Sequence, residues 1–424
     1  MSGRRSLNYS RMENSRHYIR ASLAAVLLTS LGFLPVLAES PAVDDQLATL
    51  AMLEDTRCPE GIQVAAFLDN SEPEVRRRAA LALARLQDST TVDQLADRLR
   101  SDEDPEVRRL AAFALGQIGH RDGLTALETA YGADADREVR ELAIEATGKV
   151  ADRRGTALCV RALADADAGI RHQAGIALWR IGDEIAVRQL LKALEDPDPD
   201  VRWAVVYALE KIEDPAQVIP GVSALAGDPS PLVRAKVART LGRVRDPRAL
   251  PVIFPLLEDE ELAVRVNACR AIAAIGDSSA APQLLARLED AHPYVREMAA
   301  AALGEIGEDV AAIRLEQVSK DSVDAVRAAC GVAILKLLPP ESAQLVVLPM
   351  LEDPGEYVRA LIAGAFGAVN TPEVVTALRQ IAGGTNLRGE SSGGRERAAA
   401  AGALGELGIS DARAELLAAL ADDR

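Results

Sequence analysis

The chain has 424 residues, and its hydrophobic content of 49% is mainly aliphatic, since only 3% of residues are aromatic. This composition is typical of helices that pack closely over small side chains. The formal net charge of −16 argues against a general nucleic-acid-binding protein, which would carry a basic surface. The four cysteines and four histidines are scattered without a CxxC pair or an HExxH motif, so we predict no metal site and no cofactor.

The amino terminus has the pattern of a secretory signal peptide. Basic residues precede an apolar stretch at 21–34, and the small residues Val36 and Ala38 stand three and one positions before a predicted cleavage site. The apolar stretch is short for a bilayer span and is followed by a proline, so we predict a cleaved signal rather than an anchor. We therefore expect an exported protein, periplasmic or extracellular, that starts at Met1 or Met12 and has no membrane span after cleavage.

We divide the chain into three predicted segments. Residues 1–38 form the signal peptide, residues 39–59 form a capping helix (near 43–54) and a loop, and residues 60–424 form an array of repeats. The array contains one insertion, 383–394, which is rich in glycine and serine. Such a composition favours a flexible segment, and we predict that the insertion is flexible.

A Val-Arg dipeptide, replaced once by Ile-Arg, recurs every 31 or 32 residues along most of the chain. A fixed period of this size is typical of a solenoid, in which each repeat packs only on its neighbours. We predict that the arginines pair with acidic residues of nearby turns and form a structural ladder, rather than a track for anions. These ladder arginines are Arg76, Arg108, Arg140, Arg171, Arg202, Arg234, Arg265, Arg296, Arg327 and Arg359.

Each period contains two predicted helices, which we call helix A and helix B. When the valine of the dipeptide is position zero, apolar residues at positions 0, 4, 7, 8 and 11 form one stripe of helix B. A shorter amphipathic segment, such as 92–99, precedes it and is helix A. Asp-Pro turns separate A from B, and Gly-Asp turns end B. We therefore predict an all-α, right-handed α-solenoid of about eleven two-helix repeats with helical caps, the closing one near 412–421.

The run from Asp104 to Gly119, DPEVRRLAAFALGQIG, resembles the short HEAT-like repeat best known from the phycobilisome bilin lyases. The resemblance covers about 60–424 and implies a solenoid of HEAT-like repeats. It also implies two alternatives to a scaffold: a bilin lyase, chromophore-attachment or chaperone-like factor, and an oxidoreductase similar to the HEAT-repeat deoxyhypusine hydroxylase. Export argues against the first, since phycobilisome assembly is cytoplasmic. The second is disfavoured because the His-Glu dipeptides of that family's metal site are absent from this sequence.

Positions two, six and ten of helix B form an exposed stripe in which ten basic residues outnumber five acidic ones. Trp203 and Tyr207 belong to this stripe, and aromatic and arginine side chains together are typical of binding hot spots. We predict that a concave groove around His172 to Arg243 binds an acidic or extended protein segment. The alternative is that the aromatic rings only fill gaps between repeats. The predicted binding residues are Phe113, His172, Arg180, Trp203, Tyr207, Lys211, Arg239, Arg243 and Arg270.

The sequence thus favours a non-catalytic scaffold or adaptor of the cell envelope. Its predicted partner is a protein, with no nucleic acid and no cofactor involved. Cys269 and Cys330 occupy positions that are usually alanine, so we expect them to be buried. Cys58 precedes a proline in the loop before the repeats, and it is the thiol that we expect to be exposed.

Overall fold

The computed structural model describes residues 41–55, 61–212, 214–307 and 309–409. The signal peptide predicted at 1–38, Cys58 and the closing helix predicted near 412–421 lie outside the described residues. The chain divides into two compact units, Met1–Thr49 and Leu50–Arg424. Within the first unit, the described part is the beginning of helix α1, which spans Pro41–Asp55.

The described part of the second unit is all-α, as predicted, apart from one isolated antiparallel bridge between Thr385 and Ser391. Short A helices alternate with longer B helices, and each A–B pair is one repeat, which gives eleven repeats in the described ranges. The A helices are α2 (Gly61–Ala65), α4 (Val92–Ser101), α6 (Leu124–Ala133), α8 (Thr156–Ala162), α10 (Val187–Ala193), α12 (Pro215–Ser223), α14 (Leu250–Leu256), α16 (Ala281–Arg287), α18 (Ala311–Val318), α20 (Pro340–Val347) and α22 (Pro372–Ala382). The B helices are α3 (Pro73–Leu86), α5 (Pro105–Ile118), α7 (Arg137–Val150), α9 (Ala168–Ile181), α11 (Pro199–Leu209), α13 (Pro231–Val244), α15 (Leu262–Ile275), α17 (Pro293–Ile306), α19 (Asp324–Leu337), α21 (Glu356–Ala365) and α23 (Gly394–Glu406).

The ends of the B helices follow from the turn residues. In α5, Asp104 accepts a hydrogen bond from the N–H of Glu106, and Pro105 occupies the first turn, where its missing N–H costs nothing. The same helix ends at Gly119, whose φ of 68° is readily adopted only by glycine. Three B helices have another residue in this left-handed conformation, at positions where a side chain costs energy. These residues are Gln87, Ala151 and Arg245.

Five of the described A helices begin with a 3₁₀ turn that is capped by an aspartate. The Oδ1 of Asp152 accepts the N–H of Arg154, and the Oδ1 of Asp277 accepts the N–H of Ser279. These aspartates directly follow the residue that ends the preceding B helix. The Gly-Asp turn therefore ends one helix and starts the next, in agreement with the sequence pattern.

Consecutive B helices pack against each other along the whole array. Glycine at position nine permits this close approach, as in α7. A Cβ atom added to Gly148 would lie 2.6 Å from the Cα of Ala177 in the next B helix. Gly116, Gly242 and Gly304 make the same kind of contact. One continuous core results, in which the valine and alanine stripes of successive repeats are buried.

The insertion at 383–394 folds into a closed loop around Asn386, whose side chain is fully buried. Its Oδ1 accepts the N–H groups of Arg388 and Glu390, and the N–H of Ser392 donates to the carbonyl of Gly384. Gly384 and Gly389 have φ values of 103° and 79°, which the loop requires for its turns. This network holds the ends of the insertion together, and its flexibility remains a prediction.

Candidate functional site: the B-helix wall of repeats four to six

The ladder arginines connect neighbouring turns. Nε and Nη2 of Arg202 donate to the two carboxylate oxygens of Asp228, which lies in the turn of the next repeat, at 2.6 and 2.8 Å. Its Nη1 donates to the carbonyl oxygens of Asp196 and Pro197 in its own turn. Asp228 also accepts the N–H of Ser230, so the pair fixes the start of the following B helix. One guanidinium therefore holds two successive repeats in register.

The same arrangement recurs along the array. The pairs are Arg76–Asp102, Arg108–Asp134, Arg171–Asp196, Arg202–Asp228, Arg234–Asp259, Arg265–Asp290, Arg296–Asp321, Arg327–Asp353 and Arg359–Glu396. Arg140 does not follow this pairing. Its Nη1 donates to the carbonyls of Asp134 and Ala135, but Asp165, in the next turn, accepts the hydroxyl of Tyr131 instead.

The surroundings of four ladder aspartates favour the charged form of the carboxylate. Burial raises the pKa of Asp228, but the Arg202 guanidinium and the N–H of Ser230 outweigh it, so the net pKa is lowered. The pKa values of Asp259, Asp321 and Asp353 are lowered in the same way. Because each paired arginine directs its donors at the protein, the ladder offers few donors to an external anion.

Three aromatic rings meet on the B wall of repeats four to six. The rings of Trp179 and Tyr207 stack with centroids 4.5 Å apart, and the ring of Trp203 is tilted against Tyr207 at 5.3 Å. Trp179 belongs to α9, whereas Trp203 and Tyr207 belong to α11. Each ring is half-buried, so the stack forms part of the surface.

A buried ion pair supports these rings. Nζ of Lys236 lies 3.9 Å from the ring centroid of Tyr207 and 5.2 Å from that of Trp203. It donates to Oε1 of Glu210 at 2.6 Å, and the hydroxyl of Thr240 donates to the same oxygen. Burial lowers the pKa of Lys236, and the Glu210 carboxylate opposes this shift. Burial also raises the pKa of the Tyr207 hydroxyl, and Glu210 adds to that effect.

Further cations surround the rings and have few or no acidic partners. Nζ of Lys211 lies 5.1 Å from the ring centroid of Trp179. Nε of Arg239 is 3.7 Å from Glu210, yet 62% of its side chain is exposed. Among the described residues, Arg180, Lys211 and Arg243 form no ion pair, and the charges of Arg180 and Arg243 act on the Tyr207 hydroxyl. We call Trp179, Trp203, Tyr207, Glu210, Lys211 and Lys236, with Arg180, Arg239 and Arg243, the aromatic–cationic cluster.

A surface cavity of about 700 Å³ opens beside this cluster. Its lining includes Lys211, Arg243 and Arg245, together with Glu210 and the small residues Gly242 and Ala274. A concave site of this volume accommodates part of a ligand or of an extended chain. The excess of cations in its lining favours a negatively charged occupant.

The remaining predicted binding residues lie apart from the cluster. Phe113 packs under Nζ of Lys149, 4.9 Å from the ring centroid, in repeats two and three. Arg270 donates to the hydroxyl of Tyr294 and lies over its ring. His172 is half-buried on α9. These residues are on the same wall but do not belong to one compact site.

Glu210, Thr240 and Lys236 are not among the binding residues predicted from the sequence. Glu210 stands at position nine, where six other repeats have glycine, and Lys236 stands at position three, which is mostly uncharged. Trp179 also occupies position nine. These departures from the repeat pattern are the signal that points to the cluster.

Other chemistry in the described ranges is limited. No group of three histidine, cysteine, aspartate or glutamate residues there is arranged to hold a metal ion. Cys159, Cys269 and Cys330 are buried, and burial raises the pKa of each thiol to about 12. In the part of the chain that the structure describes, no helix combines the length and the apolar character needed to cross a membrane.

Comparison with known families assigns the repeat. The family model described as HEAT repeats matches residues 62–148, 155–220, 219–292 and 256–334, which is more than half of the chain. The chain belongs to the HEAT-repeat family. A search of curated proteins found no match to this HEAT-repeat protein.

Solved structures show the same fold. Yeast importin-β, Kap95p, has a TM-score of 0.61 at 14% identity, covering 93% of this chain and 64% of Kap95p. Kap95p bound to RanGDP gives a TM-score of 0.60 at 15% identity, with coverages of 92% and 62%. Kap95 in complex with Nup1 gives 0.60 at 14% identity, with coverages of 89% and 62%. The chain thus spans less than two thirds of Kap95p, and the likeness concerns the solenoid fold.

Proposed function

We propose that this HEAT-repeat protein is a non-catalytic scaffold or adaptor of the cell envelope. It binds an acidic, extended segment of a protein partner on the B wall of repeats four to six. The aromatic–cationic cluster is the observation that supports this proposal, because it combines exposed ring faces with cations that the described residues leave unpaired.

Charge is the first argument for an acidic partner. The chain carries a net charge of −16, yet Arg180, Lys211 and Arg243 lie around one aromatic stack and form no ion pair with the described residues. The acid of the cluster, Glu210, is already paired with Lys236. Elsewhere in the chain, arginines are matched by aspartates, as the ladder shows. An isolated cationic site on an acidic protein attracts acidic segments and repels basic ones.

The shape of the ring stack is the second argument. Tryptophan, tyrosine and arginine are the residues most enriched at interface hot spots, since they offer large contact areas together with polar groups. The cluster is pre-organised, because Lys236 and Glu210 fix the rings from below. A pre-organised site binds more tightly, since fewer side chains lose freedom on binding.

The solenoid itself supports a role in protein binding. The similar structures are of a HEAT solenoid described with RanGDP and with Nup1, which are protein partners. A repeat array offers an elongated surface to which each repeat contributes a few side chains. The location in the envelope rests on the signal-peptide pattern of the amino terminus.

The binding site is tested by affinity capture from the native envelope fraction. The bait is the chain with its own amino terminus and a carboxy-terminal tag, and the partner is identified by mass spectrometry. The second bait carries Trp203→Ala, Tyr207→Ala and Arg239→Glu. The matched control carries Arg188→Glu, a charge reversal of an exposed arginine on helix A of repeat five.

We expect an acidic protein to be retained by the first bait and by the control, and to be lost with the triple variant. Its retention falls with rising salt, because the exposed charges are screened. Circular dichroism melting of each bait separates loss of binding from loss of folding. If all baits capture the same proteins, the cluster is not the binding site.

The location is tested separately. Fractionation and amino-terminal sequencing of the tagged protein are expected to place it outside the cytoplasm, with Glu39 as its first residue. A cytoplasmic protein that retains its basic amino terminus contradicts the export proposal and leaves the binding site to be judged by capture.

A further inference from the structure

A second concavity lies further along the same B wall, in repeats eight to ten. It has a volume of about 180 Å³ and is lined by residues of α17, α19 and α21. Its walls are apolar and include Ala301, Ala328, Val332, Tyr357 and Leu361. These residues, together with Glu297, form what we call the apolar pocket. Ala301, Ala328 and Val332 occupy positions two and six of their helices, the same positions as Trp203 and Tyr207 in repeat five.

Two large side chains at this pocket are partly exposed to solvent. Tyr357 is 49% exposed and Leu361 is 41% exposed, although the adjacent Val358 and Ile362 are fully buried. Leaving leucine and tyrosine in contact with water has an unfavourable free energy, which a partner removes by covering them. Small residues, such as Ala301 and Ala328, keep the pocket open between the helices.

A carboxylate at one end of the pocket has no hydrogen-bond partner in the part of the chain that the structure describes. Glu297 is half-buried and forms neither a hydrogen bond nor a close ion pair with the described residues. Burial raises its pKa, and only the more distant charge of Arg270 opposes the shift. At the other end, Lys336 is already paired with Glu305. Glu297 is therefore an acceptor available for an N–H donor of a bound chain.

The volume identifies the class of occupant. Small-molecule sites usually have about 300–1,000 Å³, so a pocket of about 180 Å³ is too small for a typical free ligand. It accommodates one apolar side chain, and an extended backbone passing over it presents N–H groups to Glu297. Such a pocket is the usual receptor for a single anchor residue of a protein partner.

We propose that the partner binds in a bipartite manner, with acidic residues on the aromatic–cationic cluster and one aliphatic anchor residue in the apolar pocket. This inference rests on the proposed function, since it extends the same segment along the wall. From repeat five to repeat nine there are four helix-to-helix steps of about 8–10 Å each, or roughly 30–40 Å. An extended chain covers this distance with about 10–12 residues, at roughly 3.3 Å per residue.

Synthetic peptides test the two-part arrangement. The probe is a fluorescein-labelled peptide with four glutamates, a Gly-Ser spacer of about 10 residues and one leucine. It is made in two versions, with the glutamates at the amino or at the carboxy end, so that both directions of the bound chain are tested. The matched peptide has serine in place of leucine, and a third has a spacer of about 4 residues. Binding to the full tagged chain is measured by fluorescence anisotropy.

We expect the leucine peptide in one orientation to bind about 10-fold more tightly than the serine peptide, as burial of one leucine side chain allows. The peptide with the short spacer should lack this gain in affinity, because its leucine does not reach the apolar pocket. Leu361→Asp, and separately Tyr357→Ala, remove the gain but keep the affinity of the serine peptide. Leu345→Asp, at an exposed leucine on helix A of repeat ten, retains the full gain and serves as the control.

The outcomes separate the two proposals. If leucine and serine peptides bind equally in both orientations, but both are weakened by Arg239→Glu, the bipartite inference is wrong and the acidic site stands. If Leu345→Asp removes the gain as Leu361→Asp does, the pocket is wrongly placed. If neither peptide binds the wild-type chain, recognition of acidic segments by the cluster is wrong, and the bipartite model is wrong with it.

Discussion

Arg202 and Trp203 are neighbours in α11 and differ in every respect that bears on function. The guanidinium of Arg202 donates to three residues of the protein and has an equivalent in almost every repeat. Trp203 has no equivalent in the other repeats, and its ring lies half-exposed against Tyr207. The two residues are adjacent in the sequence, but the guanidinium of Arg202 lies in the turn, whereas the ring of Trp203 lies on the B wall.

The difference shows how a repeat protein separates stability from recognition. A residue that recurs once per period makes the same bonds in each repeat, so it serves the stacking of the array. A residue that breaks the pattern is not required for stacking and is available for binding. The pair of Lys236 and Glu210 is intermediate, because it breaks the pattern but is buried.

The largest effect is expected at the ladder. Asp228→Ala leaves the guanidinium of Arg202 without its carboxylate and removes the acceptor of the Ser230 N–H just before α13, so we expect a loss of about 3–5 kcal/mol in the free energy of unfolding. Urea denaturation at neutral pH measures it. Asp200→Ala, at an exposed aspartate of α11, is the control and is expected to change stability by less than about 0.5 kcal/mol.

The same pair predicts a dependence on pH. The pKa of Asp228 is lower in the folded chain than its ordinary value of 3.8, so its stabilising effect is present above that value. It is lost as the pH falls through the lowered pKa. The stability difference between the wild type and Asp228→Ala should therefore shrink below about pH 4. A difference that is constant from pH 7 to about pH 3 would show that the carboxylate charge is not involved.

The next largest effect is expected at the buried lysine. Lys236→Ala leaves the carboxylate of Glu210 buried with only Thr240 and the distant Arg239, which costs about 3 kcal/mol of stability. Lys211→Ala removes a lysine that also lies over an aromatic ring but is exposed, and should cost less than about 1 kcal/mol. Equal losses of stability in the two variants would contradict the distinction between the supporting pair and the open surface.

A smaller effect is expected where B helices touch. Gly148→Ala places a Cβ atom 2.6 Å from the Cα of Ala177, so the helices must separate, at a cost of about 1–3 kcal/mol. Gly132→Ala, in α6, has no atom within 4 Å of the new Cβ and is expected to be neutral or to stabilise by up to about 1 kcal/mol. Thermal melting of both variants provides the measurement. A neutral Gly148→Ala would show that the helix contact adjusts freely.

The smallest effect is expected at the apolar pocket. The raised pKa of Glu297 means that the folded chain favours the protonated carboxyl, so ionisation weakens the fold above that pKa. Glu297→Gln should therefore raise the melting temperature at neutral pH, by a stability gain within about 0.5 kcal/mol, and have no effect in acid where the wild type is protonated. A lower melting temperature at neutral pH would mean that the carboxylate has a stabilising partner.

The repeat pattern predicted the fold well because it repeats the same local rules. The aspartates before α5 and α7 cap those helices, and Gly119 ends α5 in the left-handed conformation that its position requires. These are interactions between residues close in sequence, so spacing alone reveals them. The ladder pairing of Arg202 with an aspartate in the next repeat also follows from the period, since equal spacing places each turn beside the next.

The candidate site was predicted only in part. Trp203, Tyr207 and Lys211 were found because they share a helical stripe, and the structure brings them together with Trp179. Phe113 and Arg270 satisfied the same rule but belong to separate ring contacts, in repeats two and three and in repeats seven and eight. Stripe membership indicates which side of a helix a residue is on, but not which neighbours it meets.

The sequence by itself therefore determined the helices, their caps and the order of the repeats, because these depend on contacts within one period. Only the tertiary structure decided that Lys236 pairs with Glu210 beneath the rings, and that the described residues leave Glu297 without a hydrogen bond beside Leu361. The reason is that these arrangements arise between adjacent B helices at positions where the repeats differ. Whether a side chain there has a partner depends on which residue of the next repeat lies opposite it. The periodic pattern describes the residues that the repeats share, so it does not predict contacts between residues that differ from repeat to repeat.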